Sequence, residues 1–154
     1  MKKAHILIVG SCLCSIIFGS VNTYAYIPEK LPTSQSSDHW KVKIDKPDVK
    51  NLKDNDEFNT YSIDVRNLGA QVYDATVEIY RDEPNTNTNT KAELITYKIP
   101  DSQNFFHHQN QPISVGSKKI EVVVTWKEEP FRVMKDGKKY PARKFRQAFL
   151  FPQK

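Results

Sequence analysis

Ile120-Glu121-Val122-Val123-Val124-Thr125-Trp126-Lys127 and Phe145-Arg146-Gln147-Ala148-Phe149-Leu150-Phe151 are the two stretches that decide the fold. In the first, Ile120, Val122, Val124 and Trp126 fall on alternate positions, the period of a strand with a buried face. In the second, Phe145, Gln147, Phe149 and Phe151 alternate with Arg146, Ala148 and Leu150. Between them lies Lys135-Asp136-Gly137-Lys138, and Asp-Gly signals a two-residue type I′ turn. Such a turn sets Val124 opposite Phe149, Val122 opposite Phe151, Trp126 opposite Gln147 and Glu129 opposite Lys144. The apolar faces coincide in that register, whereas a slip of one residue would set buried side chains against exposed ones. The last third of the chain is therefore expected to be one long β-hairpin on which the rest packs.

At the other end, Lys2 and Lys3 precede an apolar run from Ile6 to Phe18, followed by Thr23-Tyr24-Ala25. Residues 1–25 read as a secretory signal peptide cleaved after Ala25. The competing readings are an uncleaved membrane anchor and, from Val9-Gly10-Ser11-Cys12, a lipidated cysteine. Both cysteines, Cys12 and Cys14, lie in this segment, so the chain from Tyr26 onward has no disulfide and depends on its core. Export without cysteines, together with many lysines, suits a Gram-positive bacterium, with the protein secreted or held at the cell surface. Loss of Lys2 and Lys3 from 23 basic residues leaves 21 against 18 acidic ones, a net charge of +3.

Residues 26–37, with Pro28, Pro32 and a Ser/Gln/Thr run, read as a flexible tether. Residues 38–154 then form one domain, since about 115 residues suffice for a single core. Its strands are expected at 39–44, 58–66, 72–81 and 93–99, each with alternating apolar positions such as Tyr61, Ile63 and Val65 or Ala75, Val77 and Ile79. Asn85 to Thr90 reads as a surface loop tip, and Pro100 to Pro112 as a long polar loop carrying Phe105, Phe106, His107 and His108. No segment after Ala25 has a helical apolar period. The fold class is all-β: a single immunoglobulin-like β-sandwich with a long C-terminal hairpin.

Two motifs carry a family resemblance. Val65-Arg66-Asn67-Leu68-Gly69 leads through a turn to Val77-Glu78-Ile79-Tyr80, and Gly116 precedes Val122-Val123-Val124-Thr125-Trp126. In these places the chain resembles bacterial immunoglobulin-like domains of the cell-adhesion-related (CARDB-like) type, over about half of the exported part. The resemblance implies an extracellular binding or spacing role and brings no catalytic residues. The charged extension from Lys127 to Lys144 departs from that pattern.

Enzyme signatures are missing from the sequence: no Gly-x-Ser-x-Gly, no cysteine after the leader, and no phosphate-cradling glycine loop among Gly69, Gly116 and Gly137. The chain is read as non-enzymatic, with no cofactor, no small-molecule substrate and no specific nucleic acid. Adjacent His107 and His108 point to opposite sides of an extended chain, so a shared zinc or copper ion requires a turn that gathers them with Asp101 or His39. A metal-handling or enzyme-accessory protein using the His107-His108 loop is the alternative function. The leading one is a cell-surface or secreted interaction module. Its candidate site is the basic segment Lys135, Lys138, Lys139, Tyr140, Arg143, Lys144 and Arg146, in which Asp136 is the sole acid. With Tyr140 and Phe145 interleaved, that segment suits an anionic cell-wall polymer, lipid headgroups or another surface protein. The same lysines and prolines would also guard an exposed hairpin against edge-to-edge pairing.

Overall fold

The structure, a computed structural model, describes residues 31–49, 56–83 and 90–153. The proposed signal peptide, residues 26–30 of the proposed tether and residues 85–89 of the proposed loop tip lie outside the described residues. The strands, in chain order, are β1 (Thr33–Ser36), β2 (Trp40–Asp45), β3 (Phe58–Asn67), β4 (Tyr73–Asp82), β5 (Lys91–Lys98), β6 (Phe105–Ser114), β7 (Lys119–Lys127), β8 (Phe131–Val133), β9 (Lys139–Pro141) and β10 (Lys144–Pro152). One antiparallel sheet has the order β1-β2-β3-β6 and the other β10-β7-β4-β5, while β8 and β9 form a separate two-stranded ribbon. The fold is all-β, as the alternating segments predict, and the two large sheets face each other as a sandwich.

Alternation decides which side chains lie between the sheets. Trp40, Val42 and Ile44 of β2 and Tyr61, Ile63 and Val65 of β3 meet Ala75, Val77 and Ile79 of β4, with Ile120, Val122 and Val124 of β7. These β-branched and aromatic residues suit a pleated surface packed on one face. Strand β7 lies inside its sheet, between β10 and β4, and it is buried on both faces over part of its length: Val123 is also buried, and Glu121 lies against the Lys91 ammonium. The C-terminus is tied back across the core. Gln153 Nε2 donates to the Tyr61 hydroxyl at 3.3 Å, and burial pushes the Tyr61 phenol up to about 12.

Three expectations are corrected. Thr33–Ser36, placed by composition in the tether 26–37, instead pairs with Lys41–Ile44 as an edge strand, and Gln35 Nε2 donates to Leu150 O of the opposite sheet. The span 100–112, read as a polar loop, is largely strand β6, paired with β3 through backbone hydrogen bonds that its polar side chains do not disclose. A bulge there sets Gln109 and Asn110 of β6 against Ser62 alone on β3.

The third correction concerns the hairpin register. Phe149 faces Val122, Phe151 faces Ile120, Gln147 faces Val124 and Phe145 faces Trp126, two positions away from the expected alignment. One position comes from the turn: Gly137 at φ 76° closes a loop of Lys135-Asp136-Gly137, with Gly137 N donating to Met134 O and Met134 N to Lys138 O. That left-handed residue is the signature of a three-residue loop, where glycine escapes the Cβ clash. The other position comes from Glu128-Glu129-Pro130 standing against only Ala142-Arg143. A shift of two leaves every side chain on the same face, which is why the apolar faces coincide in either alignment. Lys144 consequently faces Lys127 and not Glu129.

Trp126 closes the core at the ribbon end. Phe145 stacks on it at 5.7 Å, Trp40 meets it edge-on at 5.8 Å, and the His39 ring lies at 5.4 Å. Trp126→Ala should lower stability by about 3–5 kcal/mol, as expected for removing a buried indole. The check is the denaturant midpoint; an unchanged midpoint would contradict this packing.

Candidate functional site

The β8–β9 ribbon continues β7 and β10 past the edge of the sandwich, and every residue from Pro130 to Pro141 is exposed. Cross-strand pairs Phe131–Pro141 and Val133–Lys139 share one face, and Arg132–Tyr140 lies on the other. The sequence-predicted residues divide into two groups. Lys135, Lys138, Lys139 and Tyr140 belong to the ribbon, whereas Lys144 and Arg146 lie on β10 in the main sheet and Arg143 sits where the two join. Lys138 to Arg146 spans about 26 Å of extended chain at roughly 3.3 Å per residue. That exceeds a Debye length of about 8 Å at physiological salt, so the cations form two neighbouring patches and not one.

Local partners decide which of these charges are free. Arg132 Nε bonds Glu129 Oε1 at 2.6 Å, and Lys138 Nζ lies 3.8 Å from Asp136. Lys139 Nζ sits 4.2 Å from the Phe131 ring centre and the Arg143 guanidinium 5.0 Å from that of Phe145. Lys127 is engaged by Asp74, which Lys98 also contacts, at 2.6 and 3.1 Å. Hydrogen bonds from Lys127 and Lys98 hold the Asp74 carboxyl down to about 2. Among the described residues, Lys135, Lys139, Arg143, Lys144 and Arg146 have no carboxylate at ion-pair distance. Phe145 is engaged within the fold, stacked with Trp126 and in contact with the Arg143 guanidinium.

The histidines are arranged differently from the expected loop. His107 projects from β6 with Nδ1 2.7 Å from Asp64 Oδ1 on β3 and Nε2 2.9 Å from Asp48 Oδ2 on the segment after β2. The bond to Asp64, reinforced by Asp48, raises the His107 pKa, since an imidazolium alone can donate from both nitrogens at once. His108 points the other way and stacks on Phe106. His39 pairs with Glu128, and Asp101 Oδ1 accepts from Asp74 N. The carboxylates therefore sit on opposite sides of the His107 ring, and among the described residues no group of three His, Cys, Asp or Glu side chains is placed to hold a metal ion. His107, Asp64 and Asp48 act instead as an ionic clasp. It fastens the chain after β2 over Ser62, whose hydroxyl donates to Lys46 O at 2.9 Å.

The Asn67-Leu68-Gly69 turn and residues 101–104 border a polar cleft of about 490 Å³. Its central amide is spent on the turn itself: Asn67 Nδ2 donates to Ala70 O, and Asn67 Oδ1 accepts from Gly69 N.

With this geometry established, comparison with known proteins places the chain. Residues 24–154 match the family described as YozF-like secreted protein. The chain belongs to that family. A curated relative, "Uncharacterized protein YozF" of Bacillus subtilis (strain 168), is 28% identical over 93 residues. That alignment covers 57% of this chain and 55% of the relative, so the chain spans about half the length of the curated relative it matches. No solved structure matches. The YozF-like family, and not the cell-adhesion-related one, is thus the family found, and its secreted character agrees with the export expected from the N-terminal sequence.

Sequence reasoning located the cations and missed the clasp and the apolar residues of the ribbon. Phe131, Val133 and Met134 were hidden inside a segment read as charged; the alternation of Phe131 and Val133, with no matching core position, was the available signal.

His107→Gln tests the clasp. Because the folded pKa is raised above 6.5, the stabilisation is complete below about pH 6.5 and is lost as pH rises through the folded value. Water screens this partly exposed group, so the expected loss is about 0.5–1 kcal/mol. Wild type should have the higher denaturant midpoint near pH 5.5, and the gap should narrow as pH rises through the folded pKa, which lies above 6.5. A gap independent of pH would refute the ionic account.

Proposed function

We propose that this YozF-like protein is a non-enzymatic exported binding module that engages an anionic, phosphate-bearing surface through its basic hairpin. The observation carrying this reading is the cluster of cations without acidic partners on a ribbon that adds nothing to the core: Lys135 and Lys139 on the projection, with Arg143, Lys144 and Arg146 behind them. Cell-wall polymers and lipid headgroups share that phosphate chemistry.

The sandwich supports an interaction role by analogy. Leaving aside β1 and the ribbon, the first, second and fifth core strands share one sheet and the third, fourth, sixth and seventh the other. That distribution resembles an immunoglobulin-like order with the fourth strand moved across, an architecture used widely for presenting binding segments. The metal-handling alternative draws no support from the histidines, since both nitrogens of His107 are occupied by carboxylates.

Attraction of this kind weakens steeply as salt rises, because it depends on counterion release. The test compares wild type with a variant carrying Lys138→Ser, Lys139→Ser, Arg143→Ser and Lys144→Ser on isolated cell walls and on anionic vesicles. At low salt wild type should be retained and the variant largely lost, and raising the salt from about 50 to 200 mM should release wild type. Equal retention of both proteins, or retention indifferent to salt, would overturn the proposal.

A further inference from the structure

Ten large apolar side chains are exposed among the described residues, and four of them fall within positions 131–140: Phe131, Val133 (61%), Met134 (55%) and Tyr140. They share the ribbon with Lys135, Lys138 and Lys139. Charge on an exposed hairpin is explained by protection against edge-to-edge pairing, but an apolar apex is the opposite device: it adds the very liability that lysines remove. Val133 and Met134 lead into the turn on the β8 arm, and neither belongs to the core cluster. The ribbon is also an isolated pair of strands with no buried face, a structure of marginal stability in water.

We infer that the ribbon tip inserts into the interface of an anionic lipid bilayer, Val133 and Met134 entering the acyl boundary while Lys135, Lys138 and Lys139 contact headgroup phosphates. This rests on the anionic-surface reading above and commits it to one source. A soluble or wall-bound polyanion satisfies the lysines and offers nothing to the apolar side chains, whereas a bilayer interface receives both. Lysine stems reach back toward headgroups as the apolar part descends. Tyr140 and Phe131, set farther from the apex, occupy the depth at which aromatic rings favour the interface. The Lys139 ammonium over the Phe131 ring keeps cation and aromatic together at that level.

The experiment uses the purified protein, vesicles with and without phosphatidylglycerol, and immobilised polyphosphate. Wild type should bind phosphatidylglycerol vesicles and polyphosphate but not neutral vesicles. Val133→Ser with Met134→Ser should weaken vesicle binding roughly tenfold through lost apolar burial while leaving polyphosphate binding unchanged. Both side chains are exposed, so the denaturant midpoint should not move. Met134→Trp supplies a direct reporter, since the native Trp40 and Trp126 are buried: its emission should shift to the blue on phosphatidylglycerol vesicles and be quenched by bromine-labelled acyl chains. Unaltered vesicle binding by the double variant, or an unshifted Met134→Trp emission, overturns insertion and leaves the electrostatic reading standing. Wild type that binds polyphosphate but no vesicle also overturns insertion. Wild type that binds neither overturns both.

Discussion

The indole of Trp126 is the point where the two sheets and the ribbon are joined. Trp40 reaches it from one sheet, Phe145 stacks on it from the neighbouring strand of the other, and His39 lies over it from the turn before β2. The described chain holds no cysteine, so cohesion depends on contacts of this kind between side chains that alternate along strands. Past Lys127 the chain leaves this support, and the excursion that ends at Lys144 is held by its own turn and by local ion pairs. A rigid base and a loosely supported tip thus share one continuous pair of strands.

The fold was legible wherever the physical signal is local. Alternation along β3, β4 and β7 is written in consecutive residues, and it located those strands to within a residue or two. Strand β6 was hidden because Phe105-Phe106-His107-His108-Gln109-Asn110-Gln111 is polar on the face that alternation should have marked, and its pairing with β3 is a long-range fact. β1 was hidden for a related reason: four polar residues at a sheet edge bury almost nothing, and backbone hydrogen bonds alone place them. The hairpin register went wrong in two places: Asp-Gly serves a two-residue and a three-residue loop alike, and the surplus residue between Lys127 and Phe131 carries no local signal.

The candidate site was legible in part for the same reason. Lysines and arginines can be counted in a sequence, and their clustering survives folding. Whether each keeps its charge to itself cannot be counted: Lys127 is neutralised by Asp74, which is distant in sequence, while Lys144 beside it is not. The Asp48–His107–Asp64 clasp joins three separate segments and leaves no local trace. Phe145 shows the reverse error, an aromatic among cations that looks like a ligand platform and is in fact packing.

The two departures from simple hairpin geometry, the loop closed by Gly137 and the extra residue between Lys127 and Phe131, have a joint effect that neither has alone. Each by itself would rotate β10 so that Phe149 and Phe151 met solvent and Arg146 and Leu150 met the core. Together they cancel. The excursion is thus governed by parity: it can lengthen, shorten or exchange its tip among related chains, provided that the surplus on its two arms stays even, without disturbing the sandwich. The length and composition of the tip are thereby uncoupled from the packing of the core.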